Sequence, residues 1–295
     1  MSSADLLAPA APARPEIVRD ARAAQGGMIV EKPLSMLERL YNQAWLRKLV
    51  ILVALAGIWE IYGRSLDNDL LFPTFSATVG AFARGIAEGT LLLRAWGSIK
   101  VLLIGYAAGI VLATLLTGLA MTSRIGTDFL ETMTSMLNPL PAIALLPLAL
   151  IWFGLGNGSL VFVLVHSVTW AIALNTHSGF LSVSRTLTMV GQNYGLSGAG
   201  LIRQILIPAA FPSILTGLKV GWAFAWRTLI AAELVFGVSS GSGGLGWFIF
   251  ENKNMLDIPN VFAGLFTVII IGLIVENLIF QTIERNTIRR WGMQA

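Results

Sequence analysis

The chain is 295 residues long, 55% of them hydrophobic and only 12% charged, with a mean hydropathy of +0.74. Soluble domains carry about 25% charged residues, so this composition excludes an ordinary soluble domain and implies an integral membrane protein. There is no cysteine, which removes disulfides, thiolate metal sites and a Cys nucleophile. The net charge of +4 is spread over Lys and Arg at the ends of apolar runs rather than along one stripe, so membrane lipid is expected as a partner and nucleic acid is not.

Residues 1–45 hold Pro9, Pro12, Pro15 and Pro33 among Ala, Ser and scattered charges, without a sustained period. They read as a largely disordered N-terminal tail, and 46–295 as the membrane domain. About 20 apolar residues are needed to span roughly 30 Å of hydrocarbon. Six windows meet or approach that length: 46–64, 98–121, 128–152, 159–181, 209–236 and 261–283. The fold class is therefore all-α integral membrane with about six spans.

An even number of spans returns both termini to one side. Arg39 precedes the first span and Arg47 and Lys48 sit in its opening residues, Arg124, Arg185 and Arg203 lie in connections on the same side, and Arg285, Arg289 and Arg290 follow the last. The positive-inside rule puts that side, with both termini, in the cytoplasm. On the outer side, 76–89 carries Val79, Phe82, Ala83 and Ile86 at helical spacing, which predicts a short interfacial helix.

Pro139, Pro141 and Pro147 interrupt the third span. Each removes a backbone donor, so the span is either a broken helix lining a cavity or a kinked one packed against its neighbours. Gly105 and Gly109 in the second span form a small-xxx-small ridge for close helix approach. His166 and Asn175, with Thr176 and His177, put polar groups in the fourth span, where they either hold the bundle together or contact a transported solute.

Between Arg185 and Pro208 hydrophobicity drops. Gln192, Asn193, Tyr194, Gly195, Leu196, Ser197 and Gly198 lead into an amphipathic stretch ending Ile205-Leu206-Ile207-Pro208. Two short helices joined at Gly195–Gly198 are expected. Leu196, Leu201, Ile202, Ile205 and Leu206 are then available to fill a groove on a partner protein.

The spacing from Gly195 to Ile205 and Pro208 resembles the EAA loop of binding-protein-dependent ABC importer permeases. Further matches are Pro141 and Pro147 before Trp152-Phe153-Gly154, Asn175-Thr176 with Gly179, Pro208 with Pro212-Ser213-Ile214, and Ala231-Ala232-Glu233. This set resembles the nitrate, sulfonate, taurine and bicarbonate branch over roughly 70–290. Met189 stands where the motif carries its glutamate, and Val190 and Gly191 replace its two alanines.

The resemblance implies a type I importer permease in the bacterial cytoplasmic membrane. Two copies would form the translocation path, cytoplasmic ABC ATPase subunits would bind the coupling loop 185–208, and a periplasmic or extracellular substrate-binding protein would dock outside, over the glycine-rich segment 237–254. ATP and Mg would sit on the ATPase. This chain would bind no cofactor, in keeping with its lack of GxxxxGK[ST].

Arg227 and Glu233 lie in the fifth span, where burial of charge is expensive. Two readings are open. Arg227 lines the path and attracts an anion such as nitrate, bicarbonate, a sulfonate or an organic carboxylate, or it pairs with Glu233 of a second copy, or with Glu60 or Glu276, and holds the bundle together. Glu233, His166 and Asn175 join Arg227 as path candidates. A GxSxG match at 237–241 and a GxGxxG match at 241–246 lack a preceding strand, and two histidines do not make a zinc site. No catalytic or metal residue is expected. The alternative function is a stand-alone secondary transporter or channel relaying protons through Glu60, Glu233 and Glu276.

Overall fold

A computed structural model describes residues 42–236 and 243–292. Of the tail read over 1–45, residues 1–41 lie outside the described residues and Ala44 and Trp45 are already helical, while the GxSxG match at 237–241 and the first two residues of the GxGxxG match at 241–246 also lie outside them. By its contacts the chain divides into Met1–Val53 and Ala54–Ala295. The described part of the first unit opens helix α1 (Ala44–Leu66), whose Leu49, Val50, Ile51, Leu52 and Val53 are all exposed, a surface suited to lipid tails.

In the second unit the described residues form only helices and turns. Among the described residues five helices, α1 included, are long and apolar enough to cross a membrane, and the count is six if one pair bent by 88° forms a single broken span. After α1 comes α2 (Phe75–Ala87), capped by Thr74, whose hydroxyl accepts from Ala77 N. This is the predicted short helix, and it packs Phe82 edge-on against Phe266. The end of α1 is tied to the segment before α2. Trp59 Nε1 donates to the Pro73 carbonyl at 2.9 Å, and Glu60 accepts from Ser76 N and Oγ while pairing with Arg64.

Helix α3 (Thr90–Thr122) runs into α4 (Arg124–Leu137), capped by Ser123. The third span then breaks. Asn138 to Pro141 are non-helical, a 3₁₀ turn covers Ala142–Leu145, and α5 (Leu146–Phe153) resumes at 88° to α4. Pro139 and Pro141 sit where the backbone donors they lack are not needed, and Pro147 occupies the first turn of α5 for the same reason. The broken-helix reading holds, and the kinked one does not.

Helix α6 (Asn157–Leu181) is the centre of the bundle. A Cβ at Gly105 would stand 2.6 Å from Leu164, and one at Gly109 2.6 Å from Val168, so the expected ridge brings α3 onto α6. On the other side Gly179 meets Ser213, and Gly217 and Gly221 meet Asn175 and Ile172. Without a hydrophobic force between helices in lipid, this close approach supplies the van der Waals contact that holds them.

The predicted hairpin follows: α7 (Arg185–Asn193), α8 (Gly198–Leu201), a π turn over Ile202–Leu206, and α9 (Ile207–Phe236). From Gly198 to Val235 the chain is one uninterrupted helical rod. Pro208 lacks a donor, and the wider π turn just before it accommodates that loss. Helix α10 (Leu245–Asn254) and α11 (Ile258–Ile274), capped by Asp257, come next. The last span continues through a π turn at Val275–Phe280, α12 (Gln281–Glu284) and a second π turn at Arg285–Arg289.

Candidate functional site

The break in the third span opens a cavity of about 330 Å³. Pro139, Leu140 and Pro141 form one wall; His166, Ser167 and Trp170 of α6 form the second; Phe224, Arg227, Thr228 and Ala231 of α9 form the third. The sequence-predicted residues His166 and Arg227 are thus brought together. Trp170 lies one turn beyond His166 and could have been found by extending that helix face, whereas Thr228, next to Arg227 in sequence, is turned to a different face of α9.

Arg227 is exposed in this monomer. Its Nε donates to the Ala223 carbonyl at 3.0 Å and its guanidinium lies 5.2 Å from the Phe224 ring centroid. With Nε engaged, the two terminal nitrogens have no hydrogen-bond partner among the described residues. No carboxylate pairs with Arg227 among the described residues. Glu60 is engaged with Arg64 and Ser76, and Glu276 lies 3.9 Å from Lys219, which also pairs with Glu284 at 2.7 Å. The Ser167 and Thr228 hydroxyls bond one another at 3.2 Å.

Glu233 and Asn175 do not line this cavity, contrary to the expectation from sequence. Asn175 Nδ2 donates back to the Ala171 carbonyl, and its Cβ packs where α6 meets Gly217. Glu233 is only 4% exposed, and its two oxygens accept from the Ser98 hydroxyl at 2.9 and 2.8 Å. One also accepts from Gly246 N at 2.9 Å, while Ser98 Oγ accepts from Leu245 N at 2.8 Å. A buried carboxylate and hydroxyl from α9 and α3 thus cap the start of α10, satisfying amide groups that have no partner within that helix. Gly244 and Gly246 are needed here, because a Cβ at either would collide with Glu233. The Arg94–Glu251 pair at 3.0 Å adds a second tie between α3 and α10.

The hairpin is built around Gly195. Leu196 N donates to the Gly191 carbonyl and Gly195 N to the Gln192 carbonyl, the paired bonds of a Schellman motif, with Gly195 at φ +81°. Gly191 lets α7 close onto the next arm, since a Cβ there would stand 2.8 Å from Leu201 and 2.9 Å from Ile205. Leu201 and Ile205 therefore pack within the hairpin, and like Leu196 and Leu206 they are half-buried. The apolar groups actually presented are Leu187, Met189, Val190, Ile202 and above all Tyr194, 83% exposed. Gln192, Asn193, Ser197 and Gly198 are exposed beside them, and Pro208 is half-buried at the root.

Residues 105–292 match the family described as the binding-protein-dependent transport system inner membrane component. The taurine transport system permease protein TauC of Escherichia coli is 31% identical over 231 residues, covering 76% of this chain and 82% of that protein. The nitrate import permease protein NrtB of Synechocystis is 28% identical over 256 residues, covering 84% and 90%.

Glu233→Ala would leave the amide of Gly246 and the hydroxyl of Ser98 buried without their acceptor. It is expected to destabilise the purified protein by about 1–3 kcal/mol, read as a lowered thermal midpoint in detergent, with Glu233→Gln intermediate. An unchanged midpoint for Glu233→Ala would contradict the capping role.

Proposed function

Because this chain belongs to the family of inner membrane components of binding-protein-dependent transport systems, we propose that it is the path-forming permease of an ATP-driven importer and that its cargo is a small anion. It is a multi-pass permease subunit and not an enzyme, working with an ATPase and a solute-binding protein. The observation that carries the anion reading is the Arg227 guanidinium, placed in a cavity opened by a broken span with no carboxylate among the described residues to neutralise it. Such a cation attracts an anion, and its two terminal nitrogens suit an oxyanion's paired oxygens. The names of relatives that carry nitrate and taurine agree with this cargo class.

Two copies of the chain would complete the path, with both termini and the hairpin in the cytoplasm, as the distribution of Lys and Arg suggests. ATP and Mg would be held by the ATPase alone. Gln192, Asn193, Tyr194, Gly195, Leu196, Ser197 and Gly198 form the tip that the ATPase would grip, with Ile205 and Pro208 fixing its inner arm. Tyr194 and Met189 supply the apolar contact there. The tip leads straight into the rod that carries Arg227, and α9 alone, at 30 residues, is roughly 45 Å long. Displacement of the hairpin on ATP binding would therefore move the cavity wall, the differential contact an alternating-access cycle requires. The alternative of a proton relay is disfavoured, since Glu60, Glu233 and Glu276 are engaged at separate places.

Arg227→Ala is expected to reduce uptake by vesicles at least tenfold while the complex with the ATPase still purifies intact, and Arg227→Lys, which keeps charge but loses the planar fork, to retain part of it. Loss of the complex would instead assign Arg227 to assembly, and unchanged uptake would remove it from the path. In the naturally cysteine-free chain, a single Gln192→Cys is expected to crosslink to the ATPase in native membranes. Failure there, with a lipid-facing control equally silent, would remove the hairpin from the motor interface.

A further inference from the structure

The end of the last span carries a polar recess that has no part in the transport cycle described above. Asn277, Gln281, Thr282, Arg285 and Arg289 line a pocket of about 290 Å³, and all five are exposed. Spacings of four residues place Asn277, Gln281, Arg285 and Arg289 in one row along the helix, and the recess holds the whole row. Another face of the same segment is buried, where Val275, Phe280 and Ile288 form a small core with Leu215 of α9. Gln281 Nε2 donates to Asn277 Oδ1 at 2.7 Å and Asn277 Nδ2 to the Leu273 carbonyl at 2.9 Å, which leaves Gln281 a second N–H.

Charge around the recess is positive and incompletely paired. Glu284 meets Lys219 at 2.7 Å and Arg289 at 3.6 Å, and Glu276 meets Lys219 at 3.9 Å. Arg285 has no carboxylate partner among the described residues, and neither has Arg290. An anion therefore finds a free guanidinium here and a second one only loosely held.

Length gives the level of the recess in the bilayer. From Val261, where the apolar run opens, to Asn277 is roughly 24 Å of helix and to Arg285 roughly 36 Å. The hydrocarbon is about 30 Å thick, and about 40–45 Å with both headgroup layers. Asn277 thus lies just inside the edge of the hydrocarbon and Arg285 among the headgroups. Trp291, exposed and set edge-on to Phe211 at 5.6 Å, marks the same level, since indoles favour the interface. On the hydrocarbon side of the recess Leu273, Ile274 and Leu278 are exposed and apolar.

From this juxtaposition of an unpaired cationic recess at headgroup depth with an exposed apolar flank, we infer that the end of the last span is a binding site for an anionic phospholipid. Arg285 and Arg289 take the phosphate oxygens, and the Thr282 hydroxyl and the second N–H of Gln281 add donors to a group that only accepts. The acyl chains lie on Leu273, Ile274 and Leu278. A free phosphate ion has no use for that flank. A zwitterionic lipid brings a quaternary ammonium towards Arg285 and is the poorer ligand.

The test is native mass spectrometry of the full chain, stripped of lipid in detergent and titrated with phosphatidylglycerol or phosphatidylcholine of the same acyl chains. A saturable phosphatidylglycerol adduct is expected, with phosphatidylcholine about fivefold weaker. Arg285→Gln is expected to bring phosphatidylglycerol down to the level of phosphatidylcholine. Arg124→Gln, which removes the same charge from the exposed start of α4, is expected to keep the preference, and inorganic phosphate in large excess is expected to displace no lipid. Equal binding of the two lipids, an Arg285→Gln chain that keeps the preference, or an Arg124→Gln chain that loses it as fully would overturn the inference. So would displacement by phosphate, which would make the recess an aqueous ion site, or a fall from dimer to monomer mass in Arg285→Gln, which would make it a contact between copies.

Discussion

In hydrocarbon a backbone polar group without a partner costs several kcal/mol, so a span can be interrupted only where protein or water covers the gap. The stretch from Asn138 to Pro141 is such an interruption, and the architecture around it follows from that constraint. Proline at 139 and 141 reduces the number of donors to be covered, and the 3₁₀ turn from Ala142 to Leu145 re-pairs the chain quickly. What remains is a cavity bounded by α6 and α9, with Arg227 on its wall and no carboxylate paired to it among the described residues.

The rest of the bundle keeps that cavity in shape. Helix α6 is gripped from two sides through glycines, Gly105 and Gly109 on α3 and Gly217 and Gly221 on α9. Tyr106 of α3 adds a hydroxyl donated to the Leu218 carbonyl at 2.8 Å and a ring set edge-on to Trp222. Farther along α9, the Glu233–Ser98 pair fastens α10 to α9 and α3. One rod therefore carries a hairpin at its start, a charged cavity in its middle and a capped helix at its far end. α8, the π turn and α9 run as one continuous helix through all three.

Much of this was legible in the sequence, for reasons that are local. A run of about 20 apolar residues announces a span, three prolines announce a break, and Gly195 announces the end of α7 because it alone relieves a left-handed turn there. Glu233 was misplaced because a carboxylate at membrane depth looks the same in sequence whether it faces a cavity or a buried amide; only the approach of Gly244 and Gly246 from elsewhere in the chain decides it. Leu201 and Ile205 looked free for the same reason, their partner being the bare face of Gly191.

The central claim is that water and anions reach Arg227 through the broken span. The natural absence of cysteine allows a direct measurement, labelling of single-cysteine chains in membranes by water-soluble thiosulfonates of either charge. Ala231→Cys, on the cavity wall, is predicted to react, and faster with the anionic reagent than with the cationic one. Ile269→Cys, on the exposed apolar face of α11, is predicted to stay unlabelled. An Ala231→Cys chain as unreactive as the Ile269→Cys chain, or one that favours the cationic reagent, would contradict the account.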